Sequence, residues 1–145
     1  MQKLEVFVDN LNESINNLVT LNKQSALDNI NFSNEDWYFS KFCTIQMELP
    51  RGAGKTTYIL ENHTKNDVIL FANKQLIELN KSKIIGHAFV CDDPLLHEKL
   101  RGLTIENIYI DECYLCFKII SIEKIFKLFR KDCKIHQFIM LGTPC

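Results

Sequence analysis

Val68-Ile69-Leu70-Phe71-Ala72 is an unbroken apolar run between Asn66-Asp67 and Asn73-Lys74. A strand with one wet face would alternate apolar and polar residues, whereas a continuous run bounded by turn residues belongs to a strand covered on both faces. Further strand candidates fall at 43–49, 84–91, 105–112 and 135–141. Helix-spaced segments separate them, at 56–63, 74–81, about 94–100 and 114–131. In the third of these, Asp93 is the cap and Pro94 the first helical residue. Strands alternating with helices predict an α/β chain, a three-layer sandwich with a mainly parallel sheet of about five strands. Ligands of such sheets bind beyond the carboxyl ends of the strands.

The chain has 145 residues, enough for one domain with a real core. Residues 1–42 are expected to form a helical segment lying on a core made of 43–145. Leu4, Phe7, Val8, Leu11, Ile15, Leu18 and Leu21 recur at helical spacing, so 3–23 is an amphipathic helix that must lie on something, the core or a partner. Residues 24–34 are polar and Asn-rich, a connection. Ser33 and Asp36 resemble a capping box that opens a short aromatic helix over 37–42. Its Trp37 and Tyr38 are candidates either for stacking on a base or for plain core packing.

A net charge of −1 gives no global field toward nucleic acid or membrane, so any such face must be local. No apolar stretch reaches membrane-spanning length and the N-terminus lacks a signal peptide's apolar core, which predicts a cytoplasmic protein. The six cysteines then read as reduced thiols, with Cys43, Cys91 and Cys116 inside apolar runs.

Between the first strand and its helix stands Leu49-Pro50-Arg51-Gly52-Ala53-Gly54-Lys55-Thr56-Thr57. A strand, a glycine turn and a helix opening on Lys-Thr is the context of a phosphate-binding loop. Gly52 and Gly54 let backbone N–H groups of the Arg51–Thr57 segment, Ala53 included, curl around a phosphate. The helix start adds its own N–H donors and dipole. Lys55 would reach the outer phosphates and the Thr56 hydroxyl would help hold Mg²⁺. Leu49 stands where the usual pattern has its leading glycine.

A later strand ends in Asp111-Glu112. Given the loop, Asp111 is expected to support Mg²⁺ and Glu112 to orient and deprotonate an attacking water. Lys55, Thr56, Asp111, Glu112 and Thr143 all fall just past a strand's carboxyl end, and their convergence on one rim is the expected site. A basic stripe of Lys118, Lys124, Lys127, Arg130 and Lys131 on the long helix 114–131 is either a solvated face or a contact for polynucleotide phosphates. Cys113, Cys116, Cys133 and His136 imitate a zinc motif. One straight helix between the pairs, at about 1.5 Å per residue, would hold them roughly 20 Å or more apart. Zinc is therefore not expected.

With these residues in hand, the chain resembles the additional-strand, catalytic-glutamate class of phosphate-loop (P-loop NTPase) ATPases. Within that class it is most similar to the ATPase half of bacteriophage large terminases and, more distantly, to helicase motor domains. Arginine four residues before the lysine (Arg51), Arg101-Gly102 ahead of the acidic strand, and a strand ending in Gly142-Thr143-Pro144 carry the likeness, over roughly 43–144. The resemblance implies ATP and Mg²⁺ as cofactors, with Lys55 and Thr56 on phosphate and metal and Asp111 on the metal. It also implies that Glu112 is the base, Arg51 a phosphate contact and Thr143 a γ-phosphate sensor.

A terminase's nuclease and a helicase's second motor domain are both missing from these residues. The expectation is therefore a small ATPase that does not cut DNA and turns over slowly alone. It would work with DNA or in a larger assembly, with an arginine finger from a partner or a second copy. Two other readings stand beside it. One is a nucleoside or nucleotide kinase, because thymidine kinases also pair a glycine loop with an Asp-Glu-aromatic stretch. The other is a non-hydrolysing, nucleotide-dependent adaptor.

Overall fold

In a computed structural model, the structure describes residues 2–29, 39, 41–48, 54–130 and 137–142, with only the backbone of residues 2–11 and 130. The elements run α1 (Gln2–Asp28), β1 (Thr44–Glu48), α2 (Lys55–Asn62), β2 (Val68–Phe71), α3 (Lys74–Asn80), a 3-10 turn (Lys81–Lys83) and β3 (His87–Val90). They continue with α4 (Leu96–Leu100), β4 (Asn107–Asp111), α5 (Cys113–Ile119), α6 (Ile122–Arg130) and β5 (Gln137–Gly142). The sheet has the order β1-β5-β4-β2-β3, and every neighbouring pair is parallel. The unbroken apolar runs have their predicted consequence: every residue of β2 and of β5 is buried.

Successive strand residues point to opposite faces, and each face has its own core. Ile45, Ile69, Phe71, Tyr109, Ile139 and Leu141 pack with Ile15 of α1 and with Tyr58 and Ile59 of α2. Val68, Leu70, Ile108, Ile110, Phe138 and Met140 pack with α4, α5, α6 and Phe39. Phe138 is the centre of that second face, edge-on to Phe39, Phe126 and Phe129 at centroid distances of 5.5, 4.8 and 6.0 Å. Polar bonds fasten α1 to the first face. Tyr58 Oη donates to Asn16 Oδ1 at 2.8 Å, and Asn22 Nδ2 donates to Gln137 Oε1 at 3.0 Å.

Three expected boundaries are corrected. The first helix continues into the stretch 24–34 expected as a connection, as far as Asp28, because Ala26 is buried and Gln24 bonds Asp28 one turn on. The helix expected to begin at Pro94 begins at Leu96. Asp93 Oδ1 accepts from Leu95 N at 2.9 Å and closes a turn around Pro94 instead. The single helix expected over 114–131 is two helices. Cys113 and Cys116 face the core, and an unbroken helix would carry Glu123 or Lys124 onto that same buried face. Ile120 is extended, with φ −139 and ψ 138, and Ser121 Oγ accepts from Lys124 N at 3.4 Å. This resets the phase so that Ile125, Phe126 and Phe129 turn inward. The break removes the straight-helix premise from the zinc argument, and Cys133 and His136 lie outside the described residues. It also divides the expected basic stripe: Lys118 belongs to α5, 4.4 Å from the centroid of the Tyr114 ring, while Lys124 and Lys127 belong to α6.

The amino ends of β2, β3 and β4 are joined by buried polar groups where the sequence suggests no more than a turn. Asp67 is fully buried and accepts from Thr64 N (2.8 Å), Asn107 N (3.1 Å) and Asn107 Nδ2 (3.3 Å). His63 Nε2 accepts from Ile85 N and Gly86 N at 2.9 and 3.2 Å, so its proton sits on Nδ1, which faces the carbonyls of Ile59 and Leu60. Gly86 passes so close that an added Cβ would lie 2.6 Å from Thr64 O and 2.7 Å from Asp67 O. Both are backbone atoms, which cannot swing aside. Gly86→Ala is expected to lower the unfolding free energy by about 1–3 kcal/mol in urea denaturation. An unchanged midpoint would mean that this packing is loose.

Candidate functional site

The carboxyl ends of β1, β5 and β4 form one rim, with Glu48 opposite Gly142 and Asp111 opposite Leu141. Helix α2 starts over this rim. Gly54 before it has φ 90 and ψ 26, a left-handed conformation that costs glycine little. The glycine predicted for the turn into Lys55 is thus needed there. Gly54 O accepts the first helical bond, from Tyr58 N at 2.8 Å. The opening N–H groups of α2 have no intrahelical acceptor.

β4 delivers Asp111, which is 1% exposed, on the α2 side of the sheet. Thr56 Oγ1 donates to its Oδ2 at 2.8 Å. Its Oδ1 is buried with no hydrogen-bond partner among the described residues. Glu112 comes next with φ 51 and ψ 58, the only non-glycine residue of positive φ among the described residues. Such a conformation costs an ordinary residue about 1–2 kcal/mol, a cost that marks functional turns. The turn sends the chain into α5, whose first bonds run from Leu115 N and Cys116 N to Glu112 O. It also brings Glu112 Oε1 to 3.2 Å from Nζ of Lys55, a lysine that is 5% exposed. Behind the turn Cys116 Sγ approaches Asp111 O at 3.5 Å, and a Cβ on Gly142 would meet Cys113 Sγ at 2.7 Å. The end of β5 therefore sits directly on the first turn of α5.

Four expected site residues from two distant segments, Lys55, Thr56, Asp111 and Glu112, thus meet. Thr57 is exposed on the next position of α2. Arg51, Gly52, Ala53 and Thr143 lie outside the described residues, as do Trp37 and Tyr38. The Lys55–Glu112 pairing and the left-handed turn at Glu112 went unforeseen. Neither has a sequence signal, since the spacing of Asp-Glu from Gly-Lys-Thr says nothing about which carboxylate meets the lysine.

Burial pushes the Asp111 carboxyl above the usual carboxylate range; the Thr56 hydroxyl, the Lys55 charge and the Glu112 backbone N–H oppose the rise, and the Glu112 charge adds to it. Among the described residues no three His, Cys, Asp or Glu side chains cluster as a metal site. Among the described residues the oxygen donors here are the Asp111 carboxylate and the Thr56 hydroxyl. Hard oxygen ligands of this kind fit Mg²⁺, which keeps waters and substrate phosphates as its other ligands. No helix among the described residues is long and apolar enough to cross a membrane. Compared with known families and curated proteins, the chain matches no family model and no curated relative.

A raised carboxyl holds its proton more tightly in the folded chain than in the unfolded one. Its contribution to stability is therefore complete below the ordinary carboxylate value and is lost as pH rises through the folded value. Without metal, Asp111→Asn should be more stable than wild type at neutral pH by about 1–3 kcal/mol. The gap should close as pH falls toward about 4 in urea titrations. A variant less stable than wild type at neutral pH would contradict this assignment of Asp111.

Proposed function

We propose that the chain binds ATP with Mg²⁺ at this rim and hydrolyses it, as a small P-loop ATPase of the terminase- and helicase-like kind. The observation that carries the reading is the meeting of Thr56 with Asp111 at 2.8 Å beside Lys55 with Glu112 at 3.2 Å. The position of β5 between β1 and β4 also supports it, since the class resembled here is named for an additional strand and a catalytic glutamate.

In this reading the N–H groups of the α2 start hold the phosphates, and Lys55 Nζ leaves Glu112 for the outer phosphate oxygens. Arg51, Gly52 and Ala53 would complete the cradle. Thr56 Oγ1 and the free Oδ1 of Asp111 would hold Mg²⁺, which when bound neutralises charge on the β- and γ-phosphates. Glu112, released from Lys55, orients a water and takes its proton, and water, not a sugar hydroxyl, is the acceptor. Thr143, next to Gly142 in sequence, would report the γ-phosphate to α5 through the Gly142–Cys113 contact. DNA or a larger assembly is the proposed setting, with an arginine from a partner or a second copy raising turnover.

The test is phosphate release from ATP with and without DNA. Release should be magnesium-dependent and rise with DNA, and Glu112→Gln should lower it by about 10²–10⁴-fold while ATP still binds. Labelled phosphate appearing on an added nucleoside would replace hydrolysis with a kinase. Binding without release by the wild type would leave a nucleotide-dependent adaptor.

A further inference from the structure

Helices α2 and α3 come after β1 and β2 and lie on the same face of the sheet, leaving between them a half-open groove of about 530 Å³. This lies within the range of small-ligand sites, about 300–1,000 Å³. The groove starts at the proposed phosphate cradle, because Thr56, which bonds Asp111, and its neighbour Thr57 both line it. Its apolar wall comes from Leu76 and from Leu79, which is 80% exposed although it lies beside a concave surface. The polar edge is Glu61, Asn80 and Lys83. Asn80 Nδ2 donates to Leu76 O at 2.8 Å, and the Asn80 carbonyl oxygen is an acceptor on that edge beside the Glu61 carboxylate.

We propose that this groove holds the nucleoside of the triphosphate whose phosphates lie at Gly54–Thr56. The inference rests on the phosphate-site reading above and adds to it that the ligand is recognised by more than its phosphates. A moiety covalently joined to phosphates at Thr56 and Thr57 reaches the groove without crossing solvent. The flat apolar face of a base matches Leu76 and Leu79. Oδ1 of Asn80 and the Lys83 ammonium offer one acceptor and one donor to base edges, and the Glu61 carboxylate accepts from ribose hydroxyls.

Calorimetric titration with Mg²⁺, comparing ATP with inorganic tripolyphosphate, tests this. ATP should bind roughly tenfold more tightly than tripolyphosphate. Leu79→Asn, an uncharged change at an exposed position, should remove most of that preference and leave tripolyphosphate within about twofold of its wild-type affinity. Equal affinity of the wild type for the two ligands would overturn the groove assignment while leaving the phosphate site standing, as would a preference that survives Leu79→Asn. Failure of tripolyphosphate and ATP alike to bind would overturn both.

Discussion

A carboxylate held away from water, with only one of its oxygens satisfied among the described residues, is the constraint on which this site depends. Asp111 ends β4 on the face covered by α2, and the Thr56 hydroxyl donates to its Oδ2. That bond fixes where α2 begins, which requires the left-handed Gly54 before it. It also constrains the backbone on the other side of Asp111, since the chain must turn sharply at Glu112 to start α5 without running into the rim. The Lys55–Glu112 pair closes the same few ångströms from the opposite direction. Local strain at Glu112 and a desolvated Asp111 both oppose folding. The two hydrophobic faces of the sheet offset them, with β2 and β5 wholly buried.

Asp67 gives the comparison that makes Asp111 informative. Both aspartates are buried to within 1% and burial raises both carboxyls. At the amino pole of the sheet Asp67 has both oxygens bonded, to Thr64 and Asn107, and with His63 and Gly86 it ties three strand starts together. At the carboxyl pole Asp111 has one oxygen bonded and, among the described residues, one without a partner. The same residue type at the same depth is satisfied where its work is structural. It is unsatisfied where the fold's geometry predicts a ligand.

Much of the layered fold could be read from the chain, because the apolar run at 68–72 and the strand candidate at 135–141 leave no wet strand face and parallel pairing is the consequence. The rim could be read for the same reason: Gly54, Lys55 and Thr56 come after one strand and Asp111 ends another, and parallel strands put their carboxyl ends together. The errors came where one local pattern hid another. Apolar residues on both sides of Ile120-Ser121 looked like one helix until their phase was counted against the buried face. The polar, Asn-rich stretch 24–34 looks like a connection, although Ala26 keeps the inward register of α1 as far as Asp28. The Asp67–His63–Gly86 cluster was illegible because its partners lie as far apart as Thr64 and Asn107, and nothing local marks a backbone carbonyl that excludes a Cβ.

The proposed joint service of Thr56 and Asp111 to a metal-bound triphosphate is tested most directly by the magnesium dependence of ATP affinity in wild type and Thr56→Val. Valine preserves the shape at Thr56 and removes the hydroxyl. The prediction is that Mg²⁺ tightens ATP binding to the wild type by about tenfold or more and does so far less in the variant. ATP affinity indifferent to Mg²⁺ in the wild type, or an equal magnesium effect in Thr56→Val, would contradict it.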